Sequence, residues 1–485
     1  MTRLVIVSNR VADLTKATQS GGLAVGLADA LRKRGGVWFG WNGEQHDTLP
    51  ESAHAKRVGN VQMLSAPLTP EDYAQYYVGF ANSVLWPLFH YRLDHVEYEP
   101  EFFDGYCRVN NYFADLLVPH LEPDDLVWVH DYHLIPMADC LRRRGCGQRL
   151  GFFLHIPFPP HDLLSASPNH ERLVEMLLHY DVIGFQTAAD VSNFRHYVED
   201  WNVATIADDG TLQFDGRSIV LKAYPIGIDV ETFRTMSAAA PEDVRIDTDR
   251  RELLRRKQII GVDRLDYSKG LPERFRAFER LLAHHPELER VVSFLQIAPS
   301  TREDVDAYAD LRAELEGLAG SINGRHSDFN WTPLRYINRP VSREKLAALF
   351  RASHVGLVTP LRDGMNLVAK EFVAAQDAED PGVLVLSQFA GAAEDLAEAL
   401  IINPYDEDGM ADAIHAALHM PRDERRERHA ALLKRIREHD AAAWLASFMA
   451  DLDSAGRCPP GRHPETVSTA GFNDLTNPAF TETSP

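Results

Sequence analysis

From residue 126 onward, short and almost wholly apolar runs alternate with helix-forming stretches: 126–129, 150–155 and 182–186, then 258–262, 291–297, 334–337, 354–358 and 383–386. A strand that is apolar on both faces has to be covered on both. A parallel sheet with crossover helices on either side meets that need, so the pattern predicts an α/β chain of doubly wound, Rossmann-like sheets. Ligands of such sheets bind beyond the C-terminal ends of the strands, which directs attention to the residues that follow each run.

The same reading starts earlier, with a short strand at 3–8, a polar loop through Gly21 and Gly22, and an amphipathic helix at 23–34 closed by Gly35 and Gly36. A polar stretch at 237–249 interrupts the alternation. At roughly 150 residues per domain, 485 residues allow two or three domains. The predicted division is 1–236, 237–455 and a tail, 456–485, rich in Gly, Pro, Thr and Ser, with the composition of a mobile segment. The charged helix at 422–449 is placed either with the second unit or back on the first.

A net charge of −21 disfavours nucleic acid and anionic membrane surfaces as partners, because the protein's field repels both. The apolar core of the N-terminus, residues 4–7, is too short for a signal or membrane segment. Four cysteines without metal-site spacing suit a reducing cytoplasm. Anionic small molecules remain open as ligands if a few cations are focused in one place.

The stretch TPLRDGMNLVAKE, 359–371, is where such focusing is expected. Pro360 stops the preceding strand, and a helix begins after Gly364, so free N–H groups point above the sheet. Asp363 could accept sugar hydroxyls, Lys370 could neutralise phosphate, and Glu371 could take both hydroxyls of a ribose. The competing reading is an ordinary strand-to-helix loop with Asp363 as its cap and a surface Lys–Glu pair. Elsewhere Arg264 and Lys269 follow one strand, a pairing suited to a leaving diphosphate, while Arg10 and Arg302 suggest a second anion site. Tyr77 and Trp86 lie in an aromatic-rich helix predicted for 71–91, where most rings are core but these two could contact sugar or phosphate. Asp131 and His155 end their own strands, as hydrogen-bonding groups or satisfied core residues. The run His130-Asp131-Tyr132-His133 invites a metal, but adjacent residues at a strand end diverge and no second ligand cluster is visible. Two anionic substrates meeting in one cleft describe a sugar transferase.

The motifs VSNR (7–10), GGLAVGL (21–27), WFGW (38–41), HDYHL (130–134), FFLHIPFP (152–159), GVDRLDYSKG (261–270) and TPLRDGMNLVAKE (359–371) together resemble the trehalose-6-phosphate synthase family of retaining glycosyltransferases. The resemblance runs from residue 3 to about 452 and implies the GT-B fold, two Rossmann-like domains facing across a cleft. It further implies transfer of glucose from a nucleotide-glucose, UDP-glucose being favoured, to glucose 6-phosphate. No cofactor or metal is then required, and the partners are small molecules and further copies of the chain, as a tetramer or dimer. By motif position the acceptor would meet Arg10, Tyr77, Trp86, Asp131 and Arg302. The donor would meet Gly21, Gly22, Arg264, Lys269 and the backbone near Val341. The rest of its site would be Asp363, Gly364, Met365, Asn366, Leu367, Val368, Ala369, Lys370 and Glu371. His155, Arg264, Lys269 and Asp363 would serve catalysis, in front-face transfer where the leaving phosphate accepts the proton of the incoming hydroxyl. Position 341 is Val where some relatives carry an aromatic residue, which leaves the base preference among UDP, GDP and ADP open. A nucleotide-sugar epimerase and a catalytically silent sugar-phosphate sensor are the rival readings.

Overall fold

The computed structural model describes residues 2–11, 27, 31, 35–300 and 306–456. The loop carrying Gly21 and Gly22, and Arg302, lie outside the described residues, as does nearly all of the tail expected at 456–485.

Strands β1 (Leu4–Arg10), β2 (Gly36–Gln45), β3 (His54–Val58), β4 (Val61–Leu68), β5 (Leu126–His130), β6 (Arg149–Phe153), β7 (Val182–Phe185), β8 (Thr205–Ile206), β9 (Leu212–Phe214) and β10 (Arg217–Ala223) form one sheet. Its order is β3-β4-β2-β1-β5-β6-β7-β10-β9-β8, parallel from β4 to β10 and antiparallel at both edges. Strands β11 (Lys257–Val262), β12 (Val292–Ile297), β13 (Leu334–Ile337), β14 (Val355–Val358), β15 (Val383–Ser387) and β16 (Leu400–Ile402) form a second, all-parallel sheet ordered β13-β12-β11-β14-β15-β16. The central strands are fully buried, as their almost wholly apolar sequences require.

Each sheet reverses its winding once, between β1 and β5 in the first and between β11 and β14 in the second. At such a point the flanking connections leave toward opposite faces and open a crevice above the strand ends. The residues at the C-terminal ends of these four strands are Asn9 and Arg10, Asp131, Asp263 and Arg264, and the turn 359–364. Topology thus collects at two crevices what the sequence spreads over more than three hundred positions.

Three elements differ from expectation. The helix predicted over 71–91 is largely a π-helix, Tyr73–Leu85, between α-helical turns Pro70–Asp72 and Trp86–Phe89. Asn82 and Ser83 donate from their side chains to the carbonyls five residues back, Tyr77 and Val78, at 2.7 and 3.0 Å, which favours the wider coil. The polar stretch 237–249 is not a linker. Helices Val230–Ala238 and Glu242–Leu253 span it, and Ser237 donates to the carbonyl of Ala375 at 3.1 Å. The chain has therefore crossed to the second sheet already at 224–229, ahead of the expected boundary at 236.

The single helix predicted at 422–449 is two, Arg422–Glu438 and Ala441–Ser454, broken where Asp440 caps the second by accepting from Ala443 N–H at 2.7 Å. That second helix lies on the first sheet. Phe448 stacks on Trp128 at 4.4 Å, and Asp451 accepts from the Tyr224 hydroxyl at 2.7 Å. Gly151 and Gly184 make room for the Phe448 ring, since a Cβ on either would approach it within 2.9 Å. The two connections between the sheets cross at Gly227, where any Cβ would meet the His439 carbonyl at 2.1 Å.

Candidate active site

The crevice of the first sheet is lined by rings. Arg10 ends β1 exposed, its guanidinium 4.5 Å from the centre of the Trp41 ring. Gly43 leaves space for it, as a Cβ there would meet Arg10 Nη2 at 2.6 Å. Trp41 packs against Tyr77 at 5.4 Å, and Tyr77 stacks on His133 at 5.9 Å and 13°. The π-helix delivers these contacts and then Trp86, buried beside His90 at 4.1 Å. Asp131 follows β5 with φ of 77°, a strained conformation for a residue bearing a side chain, and its carboxylate accepts from the His155 backbone N–H at 3.1 Å.

The crevice of the second sheet is built from paired charge. Lys269 donates to Asp363 at 2.7 Å, and Asn366 donates to the same carboxylate oxygen at 3.0 Å. Burial alone would raise the Asp363 carboxyl, but the charge and hydrogen bond of Lys269, with His90 and the Asn366 hydrogen bond, together hold the group below the usual carboxylate range. Beneath them Arg274, fully buried, donates to Asp263 at 2.7 Å, Gln296 at 2.9 Å and Thr359 at 2.9 Å. It ties the end of β11 to the end of β14. Gly270 begins the helix Leu271–His284 at φ 62°, and a Cβ there would strike the Thr359 carbonyl at 2.3 Å. The helix after Gly364 starts at Leu367 with Asn366, not Asp363, as its cap, accepting from Ala369 N–H at 3.2 Å. Asp363 is thereby released for Lys269.

Met365 and Ala369 are buried, whereas Leu367, Val368 and Val341 are half-buried. Lys370 does not face the crevice. It is buried on the Ile226 carbonyl at 2.9 Å and Asp395 at 3.1 Å, so its ammonium is spent joining the two units, and the expectation that it neutralises phosphate is corrected. Glu371 is half-buried and its carboxyl is pushed up to about 7 by burial, with the Arg343 guanidinium opposing.

The two crevices face each other. Arg264 places its guanidinium 5.5 Å from the Trp86 ring, Arg362 lies 4.3 Å over Tyr91, and Tyr267 stacks on His95 at 4.3 Å. Gly364 permits the approach, because a Cβ on it would meet the His155 carbonyl at 2.4 Å. His90 is buried next to Lys269 and Asp363, its Nδ1 2.7 Å from the Trp86 carbonyl, and burial followed by the Lys269 charge lowers its pKa to about 4. Sequence reasoning missed His90, Tyr91, Arg274 and Tyr267. None of them ends a strand, so position carried no signal, though Tyr267 stands inside one of the family motifs.

Among the described residues, His285, Glu287 and His415 alone have metal-ligand spacing. The two imidazoles stack with centroids 3.7 Å apart and 14° from parallel. An ion must lie near the plane of each ring that binds it, about 2 Å from the nitrogen, and near-parallel planes this far apart share no such point. The grouping is a stacked pair beside a carboxylate.

The profile of glycosyltransferase family 20 matches residues 4–454. The trehalose-6-phosphate synthase of Klebsiella pneumoniae is 50% identical over 453 residues, covering 93% of this chain and 95% of its own. Among solved structures, a UDP-forming α,α-trehalose-phosphate synthase from Burkholderia xenovorans in complex with glucose-6-phosphate superposes with a TM-score of 0.89 at 51% identity, covering 93% of this chain and 99% of its own. An E. coli structure bound with UDP-2-fluoro glucose gives 0.90 at 46% identity, covering 94% and 100%. With two doubly wound sheets opposed across charged and aromatic crevices, and relatives this similar over nearly its whole length, the chain belongs to glycosyltransferase family 20.

Proposed function

We propose that the chain transfers glucose from UDP-glucose to glucose 6-phosphate with retention, forming trehalose 6-phosphate. The observation that carries this reading is Arg264 standing 5.5 Å from Trp86: a cation of the second crevice over a ring of the first. The similar Burkholderia and E. coli structures hold glucose-6-phosphate and a UDP-sugar analogue respectively, which supports one substrate for each crevice.

In this reading Arg264 and Lys269 face the diphosphate. Their attraction grows as the bond from the sugar's anomeric carbon to the phosphate oxygen breaks and charge collects there, so they act on the transition state more than on the bound donor. The anomeric hydroxyl of the acceptor attacks from the same face, its oxygen forms the new glycosidic bond, and its proton passes to the departing phosphate. Arg10 and Tyr77 hold the acceptor phosphate, together with Arg302. Trp86 and Asp131 receive the acceptor sugar, His155 the transferred sugar, and Glu371 the ribose. The Gly364 loop offers backbone to the donor, and half-buried Val341 borders the base. The enzyme works in the cytoplasm as a homo-oligomer, without a cofactor.

Product analysis with glucose 6-phosphate and each of UDP-, GDP- and ADP-glucose tests the reading. Trehalose 6-phosphate is expected, fastest from UDP-glucose. Conversion of nucleotide sugar without the sugar phosphate would instead make the protein an epimerase, and binding of glucose 6-phosphate with no nucleotide released would make it a sensor.

A further inference from the structure

His130 closes β5, and His155 stands two residues beyond β6, the neighbouring strand. His130 Nδ1 and His155 Nε2 are 3.1 Å apart, so one of the two nitrogens donates to the other. The His130 ring is buried among Trp128, Phe153 and Trp444, at 4.5, 6.5 and 6.3 Å, and its Nε2 has no partner among the described residues. His155 is partly exposed, and its carbonyl abuts Gly364 across the cleft.

A neutral imidazole carries one proton on two nitrogens. If His155 donated, His130 would have to carry its own proton on Nε2, leaving a buried N–H with no acceptor among the described residues, beside rings whose faces are weak acceptors and whose indole N–H groups on Trp128 and Trp444 can only donate. If His130 donates, what remains at its Nε2 is a bare lone pair, the more tolerable orphan. His155 must then hold its proton on Nδ1. Burial keeps both rings neutral near pH 7, with His155 lowered to about 3 and His130 held well below the usual imidazole range. No second proton therefore blurs the choice.

We infer that His130 is a positioning residue which, by donating from Nδ1, fixes His155 in the Nδ1–H tautomer, so that His155 offers a hydrogen-bond donor to an oxygen of the sugar in the cleft. The role toward sugar rests on the function proposed above; the tautomer does not. A plain packing role for His130 would need only a ring of similar size. The inferred role needs the N–H.

The test uses the full-length protein with selectively 15N-labelled histidine at pH 7. Long-range 1H–15N spectra, assigned by comparison with His155→Gln, should show His155 with a protonated Nδ1 and an unprotonated Nε2. The reverse pattern overturns the inference, whatever the enzyme transfers. Alongside it, His130→Phe keeps the ring and loses the donor, while His130→Asn returns an N–H close to the Nδ1 position. His130→Phe should lower kcat about tenfold, the loss of roughly one neutral hydrogen bond at the transition state, with KM for glucose 6-phosphate unchanged. His130→Asn should recover most of that loss. Equal losses in both variants that follow their melting temperatures would reduce His130 to packing. Wild-type protein without transferase activity would sink the proposed function and leave the tautomer still measurable.

Discussion

The two crevices solve the problem of holding an anion in different ways. On the first sheet the cation is exposed and backed by rings: Arg10 rests on Trp41, which rests on Tyr77. On the second, Lys269 with Asp363 and Arg274 with Asp263 are buried and already paired, and Arg264 alone of the cations named there stands exposed, over the Trp86 ring of the first. An exposed cation on a ring can turn to follow a ligand that comes and goes. A buried pair is fixed in advance, as a group must be if it is to meet charge that appears only while a bond breaks. The contrast suits a crevice that binds on one side and a crevice that stabilises on the other.

The sharpest way to break that contrast is to remove a cation from the second crevice. Arg264→Ala should lower kcat by about 10²–10³ with melting temperature unchanged, since Arg264 is exposed and packs only lightly, over the Trp86 ring. Lys269→Ala should cost as much in rate and also lower stability, because it strands Asp363. Near-normal turnover in both variants would leave the second crevice no role in the departure of the diphosphate.

Lys370→Met separates the two buried lysines. Lys370 serves the junction, so the expected loss is stability, about 3 kcal/mol by denaturant titration, with donor KM little changed in the folded protein. Asp395 keeps His439 at 2.6 Å, which places the cost at the low end for a broken buried pair. A large rise in donor KM with intact stability would return Lys370 to the phosphates.

Glu371 gives a pH signature to the second crevice alone. Its folded pKa of about 7 lies above the ordinary 4.5, so the folded state binds the extra proton between those values, and stability falls as pH rises through that window. If Glu371 takes the ribose as proposed, the carboxylate that would accept its two hydroxyls is the form populated above about 7. Donor KM should therefore rise several-fold as pH falls from 8 to 6, and Glu371→Gln should flatten the profile; an unchanged slope in that variant would assign the titration elsewhere.

The smallest effect belongs to the contact between the crevices. Arg362→Ala removes a cation–π contact at 4.3 Å from Tyr91, worth about 0.5–1 kcal/mol, and should raise KM for both substrates two- to fivefold. A change confined to one substrate would show that Arg362 serves a single crevice and not their closure.

Much of the site was legible because it sits at strand ends. Arg10, Asp131, Arg264, Asp363 and Gly364 could be picked out from apolar runs and the turns that stop them, and the aromatic-rich helix offered Tyr77 and Trp86. Lys370 was misread for a physical reason: two residues one helical step apart, Lys370 and Glu371, point in different directions, and only the position of Ile226 and Asp395 decides which one is covered. His90 and Arg274 gave no signal, since a histidine just past a helix end and an arginine inside a helix look in sequence like surface residues.

By itself the sequence determined the local states: which runs become buried parallel strands, where proline and glycine end them, and which polar residues are left at their tips. Periodicity and backbone sterics act over a few residues, so they can be read from a few residues. The tertiary structure decided how those tips are shared out between two winding reversals, that the last helix breaks at Asp440 and returns to the first sheet, and that glycines at 227 and 364 let the two units meet. Those outcomes depend on pairs of surfaces separated by up to hundreds of residues, and no local pattern records the surface a side chain will eventually touch.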